Sequence, residues 1–179
     1  MGVSHIALVA KDMSATHAFY SGPMGFELVK VEIVPKGDGF ARHAFYSTGS
    51  DTDQMLAFWD LSNVPDAPEF ENDINKAMGV EPGSVHMAFQ ARDLDDLERR
   101  RKRLNDHDID VLEIDHGWIQ SIYVTDPDGL MVEFACMTRG LSEQDKAEAL
   151  ELLESPAPPM SKDVPSVKVF RADGEVVAV

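Results

Sequence analysis

Two stretches of the chain carry the same message: residues 4–13 read SHIALVAKDM and residues 85–94 read VHMAFQARDL. In register, His5 falls on His86, Ala7 on Ala88, Ala10 on Ala91 and Asp12 on Asp93. Such self-similarity marks a supersecondary unit used more than once, so the fold has to hold two copies of one arrangement. Each copy opens its strand-like run with a histidine, a poor choice for an apolar strand unless something pairs with it. A pseudo-twofold fold would set the two histidines face to face, which suggests a metal ion.

The residues around these runs repeat an order of elements. Residues 6–10 read as a strand, and Lys11-Asp12-Met13-Ser14 as the start of a helix that continues over 15–20 until Ser21-Gly22-Pro23 stops it. Strands are expected at 26–34, 40–47 and 55–61, with a turn at Pro35-Lys36-Gly37-Asp38-Gly39 and a loop over 48–54. In the second half, 85–91 reads as a strand. Asp95 and Glu98 form a capping-box pattern for a helix ending near Asn105. Strands follow at 110–114, 119–124 and 130–136, the last two joined by Asp126-Pro127-Asp128-Gly129.

The sum is an α+β fold of two βαβββ modules, residues 1–61 and 84–137, in pseudo-twofold arrangement with a cupped mixed sheet around a metal site. Residues 62–83, with three prolines and a helical candidate at 69–78, read as a linker or a lid over a site. Residues 138–179 read as a helix over 142–153 and an extended tail, proline-rich over 155–165, with an edge strand at 167–170. The tail is expected to be a surface wrap or a dimer contact.

Composition narrows the function. The 16 Lys and Arg face 32 Asp and Glu, a formal net charge of −16, so the surface repels phosphate backbones and nucleic-acid binding is not expected. The opening residues lack the pattern of a signal peptide, and no stretch approaches the roughly 20 apolar residues that span a bilayer. One cysteine, Cys136, rules out an intrachain disulfide and fits a reducing cytoplasm. A cytoplasmic globular protein is the expectation.

Glu133 is the strongest third ligand. It stands in LMVEFA, flanked by Met131, Val132, Phe134 and Ala135. Burying a carboxylate in such a run costs on the order of several kcal/mol unless it is paired or metal-bound. His5, His86 and Glu133 would form a facial triad with open positions, the arrangement suited to non-haem Fe(II).

The repeat with these three residues resembles the vicinal oxygen chelate superfamily of glyoxalases, bleomycin-resistance proteins and type I extradiol dioxygenases, over residues 1–137. Within it, the stretch from His116 to Glu133 is similar to the extradiol ring-cleavage motif, matched by His116, Ile122, Tyr123, Asp126, Pro127, Gly129 and Glu133. The resemblance implies that Tyr123 hydrogen-bonds a metal-bound substrate hydroxyl and that His116 orients or polarises substrate near a pocket mouth. It implies a divalent metal, first Fe(II), with Mn(II), Zn(II) or Ni(II) as alternatives. The implied partners are a catechol-like aromatic diol and O2, and a homodimer or higher homo-oligomer.

Two departures from that pattern matter. Extradiol enzymes hold a proton-shuttling histidine at the start of the first module's last strand, where this chain has Gln54 or Asp53. Glutamine cannot take a proton, whereas aspartate could if burial raised its pKa. His43, one strand earlier, could substitute if it faces the site, although an exposed strand position is the ordinary expectation for it. Glyoxalase-like members supply a fourth ligand, a glutamate, from that same strand. By repeat alignment Glu133 falls opposite Ala57, which cannot ligate, so an open three-ligand centre and a dioxygenase are favoured.

Two other functions stay in view. One is a metal-dependent isomerase or lyase that stabilises an enolate, with Asp53 or His43 as base. The other is a metal-free binding protein of the bleomycin-resistance kind. His17 and His107 are expected to face water, and Phe45, Phe58, Trp59 and Trp118 to be mostly core.

Overall fold

The computed structural model describes residues 2–49, 54–160 and 165–179. The chain divides into two compact units, Met1–Phe89 with Val124–Val132, and Gln90–Tyr123 with Glu133–Val179. In the first, β1 (His5–Ala10), α1 (Met13–Ser21), β2 (Glu27–Lys36), β3 (Gly39–Ser47) and β4 (Met55–Asp60) form the first βαβββ module. Its four-stranded sheet has the order β1-β4-β3-β2. β1 runs parallel to β4, with His5 opposite Met55 and Ala7 opposite Ala57, while β2–β3 and β3–β4 are antiparallel.

Local chemistry explains these boundaries. Asp12 caps α1, its side chain accepting from the backbone N–H groups of Ser14 and Ala15. β2 and β3 join through Gly37 and Asp38, with Gly37 in the left-handed region at φ 59°. Pro35, expected in that turn, instead lies inside β2 opposite Phe40. β2 is an edge strand, so a residue without an N–H costs no ladder bond on its open side.

One face of this sheet packs under α1. The rings of Tyr20 and Phe58 are 4.7 Å apart, and those of Tyr20 and Tyr46 6.4 Å. Tyr20 donates its hydroxyl to the buried Asp126 at 2.9 Å. Asp126 in turn accepts the N–H groups of Asp128 and Leu130, each at 2.9 Å, which fixes the Asp-Pro-Asp-Gly turn from inside.

The linker sits on that turn. Its helix, α2 (Ile74–Met78), is shorter than the expected 69–78, because Asp73 caps it and Gly79 ends it at φ 69°. A Cβ on Gly129 would lie 2.9 Å from the Cβ of Asp73, so the close seating requires glycine there. Asn75 bonds both backbone groups of Val85, at 2.7 and 2.9 Å, and so ties α2 to the residue before β5.

β5 (His86–Gln90), α3 (Leu94–Asn105), β6 (Val111–Asp115), β7 (Ile119–Thr125) and β8 (Met131–Met137) form the second module. Its sheet, of order β5-β8-β7-β6-β9-β10, repeats the first order and adds two strands. These come from the tail: after α4 (Glu143–Glu154), β9 (Ser166–Phe170) pairs antiparallel with β6, and β10 (Val176–Ala178) with β9. The tail is therefore part of a sheet, and β10, not β9, is its edge strand. Phe170 lies under the Arg101 guanidinium at 3.9 Å, its carbonyl accepts from Asn105 at 3.1 Å, and Arg171 pairs with Asp110 at 2.6 Å. α4 starts where the sequence indicates, at Ser142, which forms a capping box with Asp145.

Asp93 caps α3, not Asp95, so the repeated aspartates Asp12 and Asp93 do the same work in both modules. Three residues on, Asp96 is buried beneath three arginines, Arg92, Arg99 and Arg100. Burial alone would raise its pKa, but hydrogen bonds from Arg92 and the charge of Arg100 hold it well below the carboxylate range. Its contribution to stability is therefore complete above the unfolded value near 3.8 and is lost as the pH falls through the lower folded value. Asp96→Ala should cost about 2 kcal/mol in urea unfolding at neutral pH. The gap from the parent protein should narrow in strong acid; a constant gap would show that the carboxylate's charge plays no part.

Candidate metal and substrate site

In the first unit, strand alternation sets His5, His43, Phe45, Ala57 and Trp59 on the face away from α1. His43 stacks on Trp59, its register partner, with centroids 3.8 Å apart and planes 8° from parallel. It also lies 4.2 Å from Phe45, whose ring meets His5 edge-on at 5.8 Å. His43 is thus buried, at 8% exposure, where an exposed position was expected; a neighbouring indole and phenyl ring cover it. Its Nε2 is buried without a hydrogen-bond partner. Burial lowers its pKa, helped by His5 and opposed by Glu32, which faces it across β2–β3.

Other first-module expectations resolve simply. Ala57 occupies the middle of that face and offers no ligand atom. Gln54 precedes β4, and its carbonyl accepts from the N–H and hydroxyl of Thr48. Asp53 lies outside the described residues. Phe58 is core, whereas Trp118 is 37% exposed in the β6–β7 turn. His17 and His107 are exposed, as expected, though His17 Nδ1 reaches the Tyr46 hydroxyl at 3.0 Å.

His5 and His86 begin equivalent strands, and both are exposed. Nδ1 of His5 lies 2.9 Å from Ser4 Oγ. Nδ1 of His86 lies 2.8 Å from the carbonyl of Gly83. A carbonyl only accepts, so Nδ1 carries the proton and Nε2 the lone pair, the tautomer that a ligating imidazole needs.

The second unit gathers His116, Tyr123 and Glu133. The β6–β7 turn is closed by the His116 N–H donating to the Ile119 carbonyl at 3.0 Å, with Gly117 at φ 81°. His116 Nε2 then stands 3.4 Å from the Tyr123 hydroxyl, at the long limit of a hydrogen bond. Glu133 is 5% exposed in β8. Burial first, then the Glu133 carboxylate beside it, raise the Tyr123 pKa. A carboxylate accepts only, so Tyr123 donates to Glu133 and receives from His116. Among the described residues, no three His, Cys, Asp or Glu side chains form a group that could hold a metal.

The model of the Glyoxalase/Bleomycin resistance protein/Dioxygenase superfamily matches residues 2–134. The chain belongs to that superfamily. Solved structures share its fold. One is a lactoylglutathione lyase from Agrobacterium tumefaciens, with 24% identity, a TM-score of 0.51, and 75% of this chain and 92% of that one covered. Another is a glyoxylase/bleomycin resistance protein/dioxygenase domain from Frankia sp. EAN1pec, with 15% identity, a TM-score of 0.56, and coverage of 76% and 98%. A third is the fosfomycin resistance protein FosX of Listeria monocytogenes complexed with Mn(II) and sulfate, with 18% identity, a TM-score of 0.50, and coverage of 82% and 97%. No curated protein matches the chain. Among the described residues, no helix is long and apolar enough to cross a membrane.

The chain has three tyrosines, and each titrates high: burial raises Tyr20 and Tyr123, and pushes Tyr46 up to about 12. In chelator-treated protein, alkaline absorbance titration should show no tyrosine at the ordinary value near 10. Glu133→Gln should bring one of the three down; an unchanged curve would separate Glu133 from Tyr123.

Proposed function

We propose that the protein is a metal-dependent enzyme that takes a small substrate through two neighbouring oxygens, and that its reaction is extradiol cleavage of a catechol-like aromatic diol with O2. The observation that carries this reading is the chain from His116 through Tyr123 to the buried Glu133. The donor set fits a divalent ion: two imidazoles, one with its proton held away on Nδ1, and a carboxylate in an apolar strand. His5, His86 and Glu133 would hold it, as Fe(II) or alternatively Mn(II), Zn(II) or Ni(II). When bound, such an ion supplies chelation of the diol and a path for electrons between diol and O2.

The side chains do the rest. Burial and Glu133 keep Tyr123 a phenol, able to donate to a substrate oxygen, while His116 fixes the position of that hydroxyl. Phe45 and Trp59 offer flat apolar surface beside His5. His43, between them, is a nitrogen base kept neutral by burial, and in this reading it replaces the histidine missing at Gln54. That same placement supports the alternative, an isomerase or lyase in which His43 draws a proton from a metal-held substrate. A homodimer or higher homo-oligomer is proposed on the exposed apolar residues of β2, Val29, Val31 and Ile33.

Protein purified without oxygen should hold one divalent ion per chain and consume O2 with a catechol, giving a yellow product. His86→Ala should lose both ion and ring cleavage. His43→Gln should keep the ion and turn over about 100-fold more slowly. Retention of the ion in His86→Ala would sink the ligand assignment. Turnover without O2 uptake would favour the isomerase or lyase, and ligand binding by metal-free, inactive protein a binding role.

A further inference from the structure

Helix α4 is twelve residues long, and none of its side chains is buried. Leu150 is 60% exposed and Leu153 81%. A lone helix of this length is marginal in water, and helices in proteins gain most of their stability by burying an apolar face. Glu143, Ala147, Leu150 and Glu154 fall on one stripe of α4 at helical spacing, with Leu153 beside it. The charge of α4 is one-sided as well. Lys146 pairs with Glu143 in the first turn, but Glu148, Glu151 and Glu154 follow with no basic residue in the last turn. These three stand at a spacing where like charges repel, and near a helix C-terminus, where negative charge is unfavourable. The helix thus lacks two things, an apolar surface to cover its leucines and a cation to meet its glutamates.

The first unit offers both on the α1 side of its sheet. A groove of about 600 Å³ lies between the start of α1 and strands β2 and β3. Met13, Leu28, Val31 and Ala44 give it apolar walls, and Leu28 and Val31 are exposed. Its charged groups are Lys11, Asp12, Arg42 and Asp60, with His17 bonded to Tyr46. Asp60 accepts from Arg42 and from the Ser62 N–H, and Asp12 accepts two N–H groups in the first turn of α1. Arg42 is therefore matched by Asp60, and Asp12 by the positive end of α1, so Lys11 sets the sign of the groove. In a chain of net charge −16, an apolar surface beside an unmatched lysine suits an acidic, leucine-bearing helix.

We propose that α4 of one copy lies in this groove of a second copy, with Leu150 and Leu153 against Leu28 and Val31 and the flanking glutamates toward Lys11. This rests on the homo-oligomer proposed above and names the segment that makes it. Pairing α4 with α4 would set the unmatched glutamates against one another, and pairing β2 with β2 would leave them uncovered. Exchanged both ways, the contact is made twice and closes a dimer.

Sedimentation velocity of the full chain, over a concentration series from micromolar upward, should show that dimer. Leu150→Glu and Leu28→Glu should each weaken it about 100-fold. Both side chains are exposed in the single chain, so the thermal midpoint of dilute protein should be kept. Lys11→Gln should weaken the dimer about fivefold. An equal mixture of Leu150→Glu and Leu28→Glu chains should form a heterodimer tighter than either variant alone, because one intact helix then meets one intact groove. A dimer unchanged by Leu150→Glu, or a mixture that recovers nothing, would overturn the contact and leave the homo-oligomer standing. A monomer at every concentration would remove both.

Discussion

The parallel pairing of β1 with β4 is the contact on which the first module depends. It returns the first strand to the side of the last, closes α1 and two strands between them, and fixes which residues of distant sequence stand together. Through it His5 stands opposite Met55, and its face continues through Ala57, Phe45 and Trp59. The second sheet starts with the same strand order, so β5 and β8 stand where β1 and β4 stand. His86 and Glu133 therefore occupy neighbouring strands, whereas the first module has Ala57, which offers no ligand atom, where the second has Glu133.

Carboxylates dominate this chain, and the buried ones are settled in distinct ways. Asp60 is held low by hydrogen bonds from Ser62 and Arg42 that overcome burial, and Asp96 by its arginines. Asp126 has no cation in its hydrogen bonding. Burial raises its pKa, while a phenol and two backbone N–H groups stabilise its oxygens. Glu133 has Tyr123 beside it, a donor that carries no positive charge. A carboxylate held by a phenol and backbone N–H groups keeps its attraction for a cation, which makes Asp126 more suggestive than the charge-neutralised ones.

The fold was largely legible because its signals are local and repeated. Alternating apolar residues, the Asp12 and Asp93 starts and the Gly-rich turns mark both βαβββ modules within a residue or two. Where the structure departs from these signals, the deciding contact is long-range at Pro35 and His43 and local at the two helix starts. Pro35 looks like a turn residue unless β2 is known to be an edge. His43 looks exposed until Trp59, its partner across the sheet, is seen to cover it. Asp95 and Glu98 fit a capping box by spacing, but Asp93 is nearer the true start and takes the cap. The linker helix is shorter than its residue run suggests because Asp73 and Gly79 bracket it. At the site, the sequence indicates His116, Tyr123 and Glu133 as one motif, and the structure brings those three together. The hydrogen bond that sets the His86 tautomer needs Gly83 in space as well as in sequence.

The tail strands draw a line between ancestry and folding. The family model's match ends at residue 134, inside β8, yet the second sheet goes on through β9 and β10. Cutting the chain where its relatives' pattern stops would strip β6 of a neighbour, leave Arg101 without the Phe170 ring and Asn105 without the Phe170 carbonyl. The stretch that the family model matches and the stretch that builds the second sheet are thus different lengths of polypeptide. The strands that complete the second sheet therefore lie outside the stretch that defines the family.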